Sequence, residues 1–448
     1  MQLRAAVHAG ALPPGLRLPG ERNLAAELGV ARGVVTEAYR LLAEWGVVEA
    51  APGRGTRVTA AGGVPQANVT SRFLDDYTGV GPDPATPRLL SFLPGRTTTL
   101  PLDRRAWRQA WAEAARRPVP VEPPDPAGER ELRLALAAYL SRVRGLVWPA
   151  DHLIVTAGSL QAFQLILSSV PRPDDAVLME RVGYPLVHQA VQASRLRLIP
   201  APVDTDGLLV SEALPGARLV YVTPSHQFPL GGRMSLERRH ALLAWAQRHD
   251  ALIVEDDYDG EVWHNVQPLP SLAQLDTEGR VLYLGTLSKV LTPSLRTGYL
   301  LAPPRWTDAL VQARARLDSG HPVMVQWALT HLLTSGALDR HVARQRRWQQ
   351  DVRGALLDSL NPLRAYSTLE GMQAGMHVCL TLHPPLDAAL VAQRLLSHGV
   401  ALSTLERMTL EGPVPNALLL AYGGLTAQQA REAAGRLVAV CQELLVRS

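Results

Sequence analysis

Val281-Leu-Tyr-Leu-Gly-Thr-Leu-Ser-Lys289, followed by Val-Leu-Thr-Pro-Ser-Leu-Arg296-Thr-Gly-Tyr-Leu-Leu-Ala-Pro303, is the stretch on which the fold of this chain turns. Residues 281–284 form a short apolar run, the pattern of a strand buried on both faces of a parallel sheet. At its end the strand releases Thr286, Ser288 and Lys289 together. Two hydroxyls, an amine and the following Arg296 suit a phosphate dianion and an aldehyde carried on one small molecule. Arginine is the natural phosphate partner because its planar fork can hold two oxygens. Lys289 is also the only lysine among 45 basic residues. A coding bias explains abundant arginine, but not why one lysine survives. A guanidinium stays protonated and cannot form an imine at physiological pH, whereas a lysine amine can be tuned to do so.

Two further segments converge on the same chemistry. Leu153-Ile-Val-Thr-Ala-Gly158-Ser-Leu-Gln161 reads as strand, tight Gly-Ser turn and helix, and the exposed amides of a helix N-terminus bind anions without a charged side chain. Ala251-Leu-Ile-Val-Glu255-Asp256-Asp257-Tyr258 reads as an apolar strand ending in carboxylates at the carboxyl edge of a sheet, where ligands bind in α/β proteins. Together these segments resemble the fold-type I pyridoxal 5′-phosphate (PLP) enzymes of the aminotransferase class, over residues 89 to about 422. The resemblance implies an α/β body: a large domain with a mainly parallel sheet over residues 88–320 and a smaller C-terminal α/β domain over 321–448. It implies Lys289 as the Schiff-base residue, Asp256 as partner of the ring nitrogen, keeping the ring an electron sink, and Tyr258 as donor to the ring hydroxyl. Gly158, Ser159, Thr286, Ser288 and Arg296 become the phosphate cup, and Tyr184 stacks on the ring. The competing readings are a helix cap or loop ion pair for Asp256 and ordinary core packing for Tyr184.

Residues 1–59 have another texture. Residues 2–9 can form a first helix, and residues 18–29 read as a second one closed by Gly29. A longer helix from Arg32 to near Gly46 places Val35, Ala38, Tyr39 and Leu42 inward, leaving Arg32, Thr36 and Arg40 on the opposite face. Two short apolar strands flank Pro52-Gly53-Arg54-Gly55. Helix, turn, helix and basic hairpin make a major-groove reader with a second contact element. Seven arginines against five glutamates leave charge alone undecided, and a small helical cap domain is the bland alternative. The order of elements resembles the winged helix-turn-helix of the GntR family of bacterial regulators. That resemblance carries Arg22, Arg32 and Arg54 over as DNA contacts, with Gly55 letting the wing approach the backbone. Gly20, Ala31 and Gly33 stand where that family usually has hydroxyls. Residues 60–87, rich in Gly, Pro, Ala and Asp, read as a linker.

A winged helix joined by a linker to an aminotransferase-like body resembles the MocR group of transcription regulators. Thr223-Pro-Ser-His-Gln-Phe-Pro-Leu-Gly231 supports this, with Phe228 where catalytic aminotransferases usually carry Asn. Those enzymes also present an arginine to the substrate carboxylate in a segment like residues 416–424. None is there, and the nearest upstream is Arg407. Pro123 replaces a tyrosine that often reaches the partner subunit's phosphate. These departures favour a PLP-dependent DNA-binding regulator whose body senses its cofactor, with a link to vitamin B6 metabolism, over the alternative of an active aminotransferase carrying an accessory DNA-binding domain. The expected partners are a double-stranded DNA operator, PLP or another small amine or amino-acid effector, and a second copy of the chain in a homodimer.

Composition sets the outer limits. A length of 448 residues, 47% hydrophobic, predicts two or three domains with large cores. No apolar run is long enough to span a bilayer, and the start lacks the apolar core of a signal peptide. Only Cys379 and Cys441 are present, so a reducing cytoplasm fits better than a disulfide framework. No metal site is expected. The net charge of +4 permits nucleic-acid binding without requiring it.

Overall fold

The computed structural model describes residues 12–13, 15–44, 47–51, 55–59, 89–264 and 266–447. The chain divides into two compact units, Met1–Thr86 and Pro87–Ser448. In the first, helix α1 (Glu21–Leu28) ends at Gly29, whose φ of 64° turns its amide back onto the carbonyls of Ala25 and Ala26. Glycine adopts that left-handed conformation without steric cost. Helix α2 (Arg32–Glu44) follows. Val35, Tyr39 and Leu42 bury one stripe of it against Leu18, Leu24, Ala25, Val47, Val48 and Val58. Strands β1 (Val48–Ala51) and β2 (Gly55–Val58) pair antiparallel, Val48 opposite Val58. The helix expected over residues 2–9, and Arg54 at the hairpin tip, lie outside the described residues.

The second unit is built on a seven-stranded sheet. Its strands are β3 (Leu153–Thr156), β4 (Ala176–Glu180), β5 (Arg197–Ala201), β6 (Leu219–Val222), β7 (Leu252–Asp257), β8 (Val281–Thr286) and β9 (Gly298–Leu301), in the order β3-β9-β8-β7-β6-β4-β5. Only β9 runs antiparallel to its neighbours. Every residue of β7 and β8 is buried, which is why residues 252–254 and 281–284 read as continuous apolar runs, and the three carboxylates that end β7 are buried with them. Alternate residues enter different cores. Leu153, Val155, Ile253, Val281 and Tyr283 join one, and Ile154, Val254, Leu282 and Leu284 join the other.

A second sheet, antiparallel throughout, has the order β10-β11-β13-β12, from β10 (Ser367–Glu370), β11 (His377–Leu382), β12 (Ser403–Thr404) and β13 (Ala417–Ala421). Its core includes Phe92, Val352, Leu356, Val378, Leu380, Leu418 and Leu420. The larger core extends to Val342. Both cores therefore draw on one helix, Ala337–Leu360, and the two halves of the body share a rigid element. Among the described residues no helix is long and apolar enough to cross a membrane. Cys379 and Cys441 are free thiols, both buried.

Candidate functional site

The sheet register brings the quoted segments to one edge. Thr286 on β8 pairs with Gly298 on β9, which pairs with Thr156 on β3. Asp256 lies opposite Leu284 on the other side of β8. Beyond Thr156 the chain turns through Gly158 into helix α3 (Ser159–Ser169), with φ 109° and ψ 170° at Gly158. A Cβ on Gly298 would stand 2.8 Å from the Gly158 Cα, and one on Gly158 would stand 3.5 Å from an Arg296 guanidinium nitrogen. The two glycines thus let the α3 N-terminus and the Arg296 turn close on each other. Arg296 is itself left-handed, φ 47°, at the end of the Pro293–Leu295 turn. The Thr286 hydroxyl donates to the Thr297 carbonyl at 3.3 Å and accepts the Ser288 amide at 3.1 Å. The buried Ser288 Oγ has no hydrogen-bond partner among the described residues.

Asp256 is buried between β6 and β8, and its Oδ2 accepts the Tyr221 hydroxyl at 2.6 Å. Its Oδ1 is buried with no donor at hydrogen-bond distance among the described residues. Burial, reinforced by the charges of Asp257 and Asp259, pushes its carboxyl up to about 7 against the pull of the Tyr221 hydroxyl and, more weakly, that of Ser159. Burial lowers the Lys289 amine, and Arg296 acts in the same direction, while Asp259 and Asp256 oppose them. The Lys289 carbonyl accepts the Thr97 hydroxyl at 2.9 Å, tying the lysine turn to the start of the body. Tyr184 is half-buried at the N-cap of helix α4 (Pro185–Gln192) and meets Phe228 edge to face at 5.8 Å. Burial pushes its hydroxyl up to about 12.

Tyr258 donates its hydroxyl to the His226 carbonyl at 2.9 Å and lies 3.1 Å from His226 Nδ1. That nitrogen is also 2.9 Å from Asp259 Oδ2, and the His226 and His377 rings stand 4.3 Å apart. Burial, then His226 and Lys289, hold the His377 imidazole well below its usual range. Tyr221, Asp259 and His377 were not singled out from sequence. His226 stands within residues 223–231, where a pocket-lining role competes with that of a loop or capping histidine. Tyr221 and His377 sit on strands as isolated polar residues, so only the folded sheet reveals what they face. Asp259 follows the Asp256-Asp257-Tyr258 run, and that adjacency was the one available signal. His321 lies 3.0 Å from the hydroxyl of Thr297, the residue that follows Arg296.

The chemistry of this donor set fits PLP. Asp256 Oδ1 lacks the donor that a ring N–H would provide, Lys289 offers an amine, and Ser288, Arg296 and the α3 N-terminus offer donors suited to a phosphate. In residues 416–424, which hold no arginine, β13 is apolar. Leu419 and Ala417 pack with Phe228, Cys379, Val182 and Met408, and Arg407 is exposed on a separate turn.

In the head, Arg22, Arg32, Thr36 and Arg40 are all exposed. Arg32 and Thr36 both donate to Glu21, and Arg40 pairs with Glu37 at 2.6 Å. Gly20 caps α1 with no side-chain hydrogen bond, consistent with the hydroxyl missing from this position. Gly55 has φ 76°, and a Cβ there would come within 2.9 Å of Arg17 Nε, so Arg17 lies across the wing strand.

Residues 99–437 match the family model for aminotransferase class I and II, and residues 1–58 match that for bacterial regulatory proteins of the gntR family. The HTH-type pyridoxine biosynthesis transcriptional regulator PdxR of Corynebacterium glutamicum is 35% identical, over 94% of this chain and 90% of its own length. The probable rhizopine catabolism regulatory protein MocR of Rhizobium meliloti is 32% identical, over 96% and 90%. Among solved structures, a multiple substrate aminotransferase from Thermococcus profundus superimposes with a TM-score of 0.74 at 26% identity, covering 85% of this chain and all of that one. The chain belongs to the MocR-type, GntR-family transcription regulators, in which a winged helix is fused to a PLP-binding body of the class I and II aminotransferase fold.

Proposed function

We propose that this regulator senses PLP itself, with residues 1–59 as the DNA-binding head, 60–87 as linker, and 88–320 and 321–448 as the two domains of a sensing body. The carrying observation is the convergence at one sheet edge of the sole lysine, the donorless Asp256 Oδ1 and the α3 N-terminus with Arg296. In this reading Lys289 binds the cofactor covalently, and Asp256 Oδ1 holds a proton on the ring nitrogen. Gly158, Ser159, Thr286, Ser288 and Arg296 hold the phosphate, and Tyr184 and Tyr258 orient the ring. Bound there, PLP supplies an aldehyde that condenses reversibly with amines and a ring that withdraws electrons.

The apolar wall of Phe228, Leu419 and Cys379 argues against turnover of amino acids. A substrate carboxylate left there without a cation would carry a penalty of about 3–5 kcal/mol. The name of the PdxR relative, a regulator of pyridoxine biosynthesis, points the same way. Cofactor binding would move the head between two states by differential affinity, in a homodimer that reads two half-sites.

Borohydride treatment of PLP-loaded protein followed by peptide mass spectrometry should place a pyridoxyl adduct on Lys289. Operator titrations with and without PLP should differ for wild type and coincide for Lys289→Ala. If both proteins respond alike, PLP is not sensed through this lysine. Rapid multiple turnover with an amino acid would favour the aminotransferase alternative.

A further inference from the structure

The reading face of the head carries a carboxylate, although a negative charge there opposes the phosphates of any DNA. Glu21 opens α1, and its Oε2 accepts from Arg32 Nε at 3.4 Å, from Arg32 Nη2 at 3.3 Å and from the Thr36 hydroxyl at 2.9 Å. Arg32 and Thr36 stand one turn apart on α2, and the Thr36 oxygen also lies 3.2 Å from the Arg32 carbonyl. Buried contacts fix the backbones that bring these residues together. Leu24 and Ala25 of α1 share a core with Val35 and Tyr39 of α2. The Tyr39 hydroxyl donates to the Pro19 carbonyl at 2.7 Å, just ahead of Glu21. The ion pair is exposed, with 57% of the Arg32 side chain and 33% of that of Glu21 open to solvent, so it adds little to stability. Its consequence is orientation.

A guanidinium presents five N–H bonds in one rigid plane. Nε and one Nη2 hydrogen face Glu21 along the side edge. The end edge keeps one hydrogen from Nη1 and one from Nη2, two parallel donors. Guanine matches them, because its major-groove edge offers two acceptors, O6 and N7, while adenine offers an acceptor beside a donor. We infer that Glu21 is a specificity-determining residue, holding Arg32 by one edge so that the other reads a guanine in each operator half-site. This rests on the reading of the head as a DNA-binding winged helix. Glu21 weakens attraction to arbitrary sequence, and only a site that offers guanine to the preset Arg32 offsets the repulsion.

The test uses the full-length, PLP-loaded protein to select duplexes from a randomised pool. Each guanine of the selected half-site is then replaced by 7-deazaguanine, which lacks the N7 acceptor. For wild type, one such replacement per half-site should weaken binding about tenfold or more, the range of a bidentate base contact. Arg32→Ala should abolish the penalty at that same guanine. Glu21→Ala should reduce it to about threefold or less and tighten binding to random duplex at equal salt, which also reports a folded head. Glu21→Gln, which keeps an acceptor for Arg32, should fall between. A full penalty retained in Glu21→Ala, or in Arg32→Ala, overturns the inference while leaving the head a DNA-binding domain. Failure of wild type to enrich any sequence would instead remove the reading beneath it.

Discussion

Asp256 shows how one side chain can be costly to the empty fold and useful to the loaded one. Its carboxyl titrates near 7 when folded, against 3.8 as its ordinary value, chiefly because burial disfavours the anion. Between those values the folded chain holds a proton that the unfolded chain has released. The stabilisation is therefore complete below pH 3.8 and disappears as pH rises through 7. Asn at this position keeps the shape and does not titrate. In PLP-free protein, urea unfolding at pH 5 and pH 8 should show the balance moving towards Asp256→Asn by roughly 3 kcal/mol as pH rises, two units at about 1.4 kcal/mol each. A difference that does not change with pH would mean that the carboxylate is not destabilised by burial. The same variant should bind PLP more weakly, since an amide cannot supply the negative charge that a ring N–H seeks.

At the level of the element, the strand, turn and helix formed by β3, Gly158 and α3 are legible in the sequence. Apolar residues before Gly158 and helix-compatible residues after it leave few other arrangements. The end of β8 was equally legible, because Thr286, Ser288 and Lys289 leave the strand within four residues. Polar partners contributed by distant strands were not. Nothing local to Tyr221 indicates that its hydroxyl reaches Asp256, and nothing near His377 indicates that it stands against His226, some 150 positions earlier. The absence of a carboxylate-binding arginine could be read from residues 416–424, but the apolar cluster in its place required the fold. Gly158 allows the legible part to be tested. Its φ and ψ lie in a region almost confined to glycine, so a side chain costs on the order of 1–3 kcal/mol in strain. The added Cβ would meet only Arg296 atoms at ordinary contact distance. Gly158→Ala should therefore still fold, and PLP affinity followed by absorbance titration should fall at least about tenfold. Unchanged affinity would show that the α3 N-terminus does not carry the phosphate.

Across the whole molecule the two units are joined by a segment with no apolar periodicity of its own, so the coupling between them has to be measured as free energy. If PLP changes operator affinity by some factor, bound operator must change PLP affinity by that same factor. Couplings of this kind typically lie at about 1–3 kcal/mol, which corresponds to roughly five- to 150-fold. PLP titrations of the full-length protein with and without saturating operator duplex should yield two dissociation constants. Their ratio should equal the ratio of operator constants measured with and without PLP. Because Lys289 is the sole lysine, Lys289→Ala removes the only side-chain amine that the cofactor could modify. Both ratios should then fall to about one, while the variant still binds random duplex as wild type does. Unequal ratios in the wild type would mean that the two titrations do not share one equilibrium, as when operator alters the association of subunits rather than the state of each. Equal ratios that persist in Lys289→Ala would show that the signal starts from noncovalent occupancy of the phosphate cup, and that the lysine only retains the cofactor.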